Sequence, residues 1–127
     1  MNWHKFLIVA TRHLSLDACE APGKWSWCAW TTFERLAEDA GYWTAPLPLE
    51  AELLATGTSD GGTWGQPFLY SQIAHLIVPR RFYWERMADD GFTSGFHDQD
   101  IDGLSERLID EVIAHRLTEH VLEVKLY

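Results

Sequence analysis

Trp3, Phe6, Leu7, Ala10 and Leu14 recur at steps of three and four residues. A helix gathers positions so spaced onto one face, which predicts an amphipathic helix over residues 2–15. Ile101, Leu104, Leu108 and Val112 make a second helical stripe further along. Between them, Thr31 and Glu34 match a capping box, in which hydroxyl and carboxylate satisfy the first helix amides. Phe33, Leu36, Ala37 and Ala40 would form the apolar face of that helix, and Gly41 its end. Pro48 suits the first turn of a short helix running to about Ala55.

Other stretches follow a period of two. VLEVKLY, residues 121–127, alternates Leu122, Val124 and Leu126 with Glu123 and Lys125, the pattern of a strand with one buried and one wet face. IAHRLT, residues 113–118, is expected to pair with it as a hairpin through Glu119 and His120. His75–Val78 (HLIV) reads as a buried strand ended by Pro79, and RFYWERM, residues 81–87, as extended. In WSWCAW, residues 25–30, Trp25 and Trp27 either alternate on a short strand or belong to an irregular packed segment. Residues 17–24 and 42–48 are proline-broken connections. Residues 56–67 (TGTSDGGTWGQP) hold four glycines and a proline, and are expected to form a mobile loop. The order of elements predicts an α+β fold: a single domain with helices packed on one face of a mainly antiparallel sheet.

Composition agrees with a folded chain. The 127 residues are 46% apolar and 23% charged, which suits one domain with a core of its own. No internal repeat or linker divides them. The longest strictly apolar run, Phe6–Ala10, is far too short for a membrane span or the core of a secretion signal. A cytoplasmic protein is therefore expected, with Cys19 and Cys28 as reduced thiols. Neither cysteine lies in a C-x-x-C pair.

Charge changes the picture more. The net charge is −9. Residues 85–111 hold nine acids (Glu85, Asp89, Asp90, Asp98, Asp100, Asp102, Glu106, Asp110, Glu111) against Arg86 and Arg107, and so supply −7 of it. An acidic protein is repelled by nucleic acid phosphates and by anionic membranes, which argues against both as partners, and it attracts basic proteins.

Within that segment, HDQDIDG places Asp98, Asp100, Asp102 and Gly103 as a calcium loop would. The twelfth position is Ile109, which offers no carboxylate, and Leu104 and Leu108 already belong to a helical face. The stretch therefore reads as a helix start, where carboxylates favour the positive end of the helix dipole. Asp102, Glu106 and Asp110 then stand at i, i+4 and i+8 as one acidic stripe, whose repulsion Arg107 can offset through Asp110 or Glu111.

Other chemistry is less patterned. Seven tryptophans are present, of which Trp3 and Trp84 are expected in the core. Trp64, in the glycine-rich loop, has no helical face to join and is a candidate contact residue. The six histidines have no zinc-helix spacing, no nucleophile elbow or phosphate loop occurs, and Cys28 between tryptophans reads as a buried thiol. No metal or cofactor is expected.

These features point to a protein that binds another protein, a basic one, through Asp98, Asp100, Asp102, Glu106, Asp110 and Trp64. An immunity protein or antitoxin that neutralises a cationic toxin, such as a nuclease, fits the pattern. A viral inhibitor whose acids imitate nucleic acid is a related reading. One alternative is a small enzyme or ligand-binding protein with a site near residues 56–67, Trp64 as lid and His97 and Asp98 as acid and base. A second is a self-associating structural protein with tryptophans across the self-interface.

Overall fold

A computed structural model describes residues 1–14, 26–48, 50–58 and 68–127. The architecture is mixed α+β with antiparallel strand pairing.

Helix α1 spans Trp3–Leu14, one residue inside each expected end. The Asn2 side chain caps it by accepting the Lys5 amide at 3.1 Å. Strand β1 (Cys28–Thr32) runs directly into a five-residue helix, α2 (Phe33–Ala37). Then come β2 (Trp43–Ala45), a single 3-10 turn at Glu50–Glu52, β3 (Gly57–Thr58), β4 (Phe68–Leu69) and β5 (Ile73–Pro79). Strands β6 (Arg81–Ala88) and β7 (Gly91–Asp98) form a long hairpin. Helix α3 (Ile101–Asp110) and the short hairpin of β8 (Arg116–Leu117) and β9 (Val121–Lys125) complete the chain.

The main sheet has the order β2-β1-β5-β9-β8, every neighbour antiparallel. Its register lines Trp43, Trp30, Leu76 and Val124 across one face, with Val78 beside Leu122. All but the half-buried Trp43, which packs against them, join Trp3, Phe6, Leu7 and Ala10 of α1 and Ile101, Leu104 and Leu108 of α3 in one buried cluster. Trp30 is its aromatic centre, 4.6 Å from both the Trp43 and Phe68 rings. The other face carries Thr31, His75 and Lys125 in one row and Ala29, Ile77 and Glu123 in the next.

Several expectations are corrected. Thr32 caps α2, its hydroxyl accepting the Arg35 amide at 3.2 Å. Thr31 is committed to the sheet opposite His75 and donates its hydroxyl to the Gly41 carbonyl at 2.8 Å. The expected apolar face of α2 is absent: Phe33, Ala37 and Ala40 are exposed, and the helix is too short to bury a stripe. It ends four residues before Gly41, with Asp39 in the left-handed region (φ 54°). The helix expected after Pro48 is only the 3-10 turn. Trp84 lies half-buried on the hairpin, outside the core cluster. Val112 lies outside α3 and is 91% exposed, whereas Ile113 takes the buried place. Residues 15–25 and 59–67, including Cys19, Trp25 and Trp64, fall outside the described residues. Cys28 is a free thiol with no exposure, and burial pushes its pKa up, as expected of an inert side chain.

Candidate partner-binding surface

The acidic segment divides in two. Asp98 ends β7, and its carboxylate accepts from Arg81 on the paired end of β6 at 2.7 Å. Asp100 is the N-cap of α3: it accepts the Gly103 amide at 3.0 Å through one oxygen and His13 Nε2–H at 2.9 Å through the other. Asp102 receives both arms of the Arg80 guanidinium, at 2.7 and 3.0 Å. Glu111 pairs with Lys5 at 3.0 Å. Each of these acids thus meets a cation or histidine brought from outside residues 85–111. The pKa values of Asp98, Asp100 and Asp102 are lowered, by the Arg81 bond, the Gly103 amide and the Arg80 bond respectively.

The calcium-like spacing therefore resolves into three carboxylates that serve three different partners. Gly103 has its own reason. A Cβ there would lie 2.2 Å from the Asp100 carboxylate and 2.9 Å from His13 Nε2. The glycine makes room for the cap to fold over the first turn.

Glu85, Asp89, Asp90, Glu106 and Asp110 form no ion pair among the described residues, and all five are exposed. They make two groups: Glu106 and Asp110 on the outer side of α3, and Glu85, Asp89 and Asp90 toward the tip of the hairpin. The stripe of Asp102, Glu106 and Asp110 is thus neutralised at its first member only. The anticipated role of Arg107 in balancing it falls instead to Arg80, and Glu111 pairs with Lys5.

The sequence pattern marks only the first strand of the hairpin, because β7 is GFTSGFHD, with no apolar alternation that a buried strand would need. Its base is anchored. Phe82 is buried and stacks on Trp27 with ring centres 5.9 Å apart, and His97 meets the Phe82 edge at 5.2 Å. Further out, the Trp84 ring lies over Gly95, where a Cβ would come within 3.2 Å of it. The opposite face carries Tyr83, Met87, Phe92 and Phe96, which are 52, 75, 56 and 66% exposed. His97 and Asp98, the candidate acid and base, occupy opposite faces of β7, and Asp98 is held by Arg81.

A different polar network has the geometry of a relay. His75 is buried on β5, with Nδ1 2.7 Å from the Tyr42 hydroxyl and Nε2 3.4 Å from Glu123 Oε2. The carboxylate only accepts, so Nε2 carries the proton, Nδ1 accepts from Tyr42, and Tyr42 accepts from the Tyr127 hydroxyl at 3.0 Å. Burial lowers the His75 pKa and raises that of Tyr42 to about 12. Tyr127 and Glu123 line an open cleft of about 740 Å³ together with His115, Arg116 and Lys125. In the sequence His75 was one of six unpatterned histidines. Only its register opposite Lys125 and beside Glu123 brings these groups together.

Comparison with protein-family models, with curated proteins and with solved structures returned no match for this chain. Among the described residues, no helix is long and apolar enough to cross a membrane.

Proposed function

We propose that the chain is a small cytoplasmic protein that binds and neutralises a basic protein, as an immunity protein or antitoxin does for a cationic toxin such as a nuclease. The observation that carries this reading is the division of the acids. Asp98, Asp100 and Asp102 have internal partners, whereas Glu106 and Asp110 stand exposed on α3 with none among the described residues. Uncompensated surface carboxylates steer a cationic partner and accelerate its capture. The contact set from the sequence thereby narrows to Glu106 and Asp110, with Asp98, Asp100 and Asp102 shaping the surface beside them. The reading takes the chain as one domain whose helices lie on one face of the sheet, which the single core cluster shared by α1, α3 and the sheet supports.

The test is capture of a basic partner by the tagged chain and by the E106Q/D110N variant at matched ionic strength. Loss of the partner in the variant, with unchanged circular dichroism, is expected. Retention of the same partner at the same salt concentration would end the acidic-interface reading. A second reading, a small enzyme or ligand-binding protein, draws support from Tyr127 and Glu123, which both bond within the His75 network and line the 740 Å³ cleft. Specific, saturable binding of a small molecule that shifts Tyr127 resonances would favour it.

A further inference from the structure

The exposed face of the β6–β7 hairpin has an internal order. Counting cross-strand pairs from base to tip, it reads Arg81–Asp98, Tyr83–Phe96, Glu85–Ser94, Met87–Phe92, and then the turn with Asp89 and Asp90. The two apolar rows stand at equal distance on either side of the Glu85–Ser94 row. Beyond them, the Arg81 row and the acidic turn are again at equal distance. A twofold axis across the strands at Glu85–Ser94 would therefore lay apolar on apolar, Arg81 against Asp89 and Asp98 against Asp90.

Two further facts make the face a contact surface. Among the described residues, strands β6 and β7 are a two-stranded sheet with no third strand on either edge. Such ribbons are marginal in water unless one face is packed. Here only the base of the opposite face is buried, at Phe82, while four large apolar side chains face solvent together. Contiguous exposed apolar groups of this size mark association sites.

We propose that this chain forms a homodimer through the β6–β7 hairpin, two copies stacking their Tyr83, Met87, Phe92 and Phe96 faces in antiparallel orientation. An isologous contact requires a self-complementary patch, and the palindromic rows supply one. The orientation sets the two protein bodies at opposite ends of the paired hairpins. It brings the turn carboxylates of each copy to the Arg81–Asp98 ion pair of the other, where attraction and repulsion offset, so the apolar rows carry the contact. It also sets Glu85 near its own symmetry mate, a like-charge contact that weakens the dimer. Eight-residue strands make a face about 26 Å long, roughly half the size of a standard interface per partner, so association in the range of about 10–100 μM is expected. The proposal does not depend on the basic-partner reading, because the purified chain alone tests it.

The experiment is sedimentation equilibrium of the full chain from about 1 to about 500 μM, spanning the range expected for an interface of this size. The wild type should pass from monomer to dimer. F92S/F96S should remain monomeric, E85Q should dimerise at least threefold more tightly, and I109S, altered at an exposed apolar residue on α3, should match the wild type. Should F92S/F96S unfold, amide shifts on dilution of the wild type decide the matter, and they should centre on residues 83–96. A wild type that is monomeric at the highest concentration overturns the proposal, even if a foreign protein then covers the face. So does a dimer that survives in folded F92S/F96S, or dilution shifts confined elsewhere.

Discussion

Gln99 clasps the backbone of Trp27 from both sides: its Oε1 accepts the Trp27 amide at 2.9 Å and its Nε2 donates to the Trp27 carbonyl at 3.0 Å. The same Nε2 donates to the Pro79 carbonyl at 2.9 Å, and the Gln99 amide donates to Arg80. One buried side chain thus stands in for a strand between the segment before β1 and the end of β5, at the point where the hairpin leaves the sheet. Replacement by leucine keeps the volume and strands one amide and two carbonyls. A loss of about 3–5 kcal/mol is expected, since each of the three groups left without a partner costs about 1–3 kcal/mol and Trp27 is only half-buried. Urea unfolding checks it, and a loss under about 0.5 kcal/mol, well short of one such bond, would show that water replaces the clasp.

Val112 closes α3 in a conformation that favours glycine. Its φ is 57°, the Ile113 amide donates to the Leu108 carbonyl at 2.8 Å, and the Val112 amide donates to Ile109 at 3.0 Å. These are the two bonds of a Schellman ending. A β-branched residue in the left-handed region is strained by roughly 1–2 kcal/mol, and its exposed side chain recovers little of that by packing. Val112→Gly should therefore stabilise the protein by about 1 kcal/mol, after allowing for glycine's freer unfolded chain, and raise Tm by about 4 °C. Calorimetry decides: an unchanged or lower Tm would mean that Val112 makes a contact in solution that outweighs the strain.

Gly103 offers the reverse case. In a helix interior, glycine to alanine is ordinarily worth about 1 kcal/mol in favour of alanine. At this position the added methyl displaces the Asp100 carboxylate, which caps α3 and binds His13. Loss of such a cap costs about 1 kcal/mol, and the His13 contact goes with it. Gly103→Ala alone should thus destabilise modestly, whereas in an Asp100→Ala background the same change should stabilise. A double-mutant cycle reads the coupling directly, and additive effects would refute the steric account.

What could be read from the pattern alone follows from where burial is one-sided. Helices α1 and α3 and strand β9 each bury one face, so Phe6, Leu104 and Leu122 mark their periods. Strand β7 buries almost nothing: Phe92 and Phe96 face outward, so no buried apolar period marks it. The capping site lies one residue later because the Thr31 hydroxyl is taken by the Gly41 carbonyl, a contact ten residues away that local propensity does not register. The sign and place of the charge were legible. The neutralisation of Asp98 and Asp102 was not, because their arginines are 17 and 22 residues away. The His75 network is likewise a product of register.

That network makes stability depend on pH in a definable window. Tyr42, Tyr127, Glu123 and Lys125 surround His75, and burial outweighs the carboxylate, so the folded-state pKa lies below the ordinary value of about 6.5. Between the two pKa values the unfolded chain binds the proton and the folded chain does not. The contribution of His75 is therefore full above pH 6.5 and is lost progressively as pH falls through that value toward the folded pKa. His75→Asn, which retains an acceptor for the Tyr42 hydroxyl, should be less stable than wild type at pH 7.5. The gap should narrow on going to pH 5.5, because the other five histidines are common to both proteins. Denaturant unfolding of the pair across this range is the measurement. A gap that stays constant would mean that folding leaves the His75 pKa unchanged, and one that widens as pH falls would mean that His75 is protonated in the fold and held by Glu123 as an ion pair.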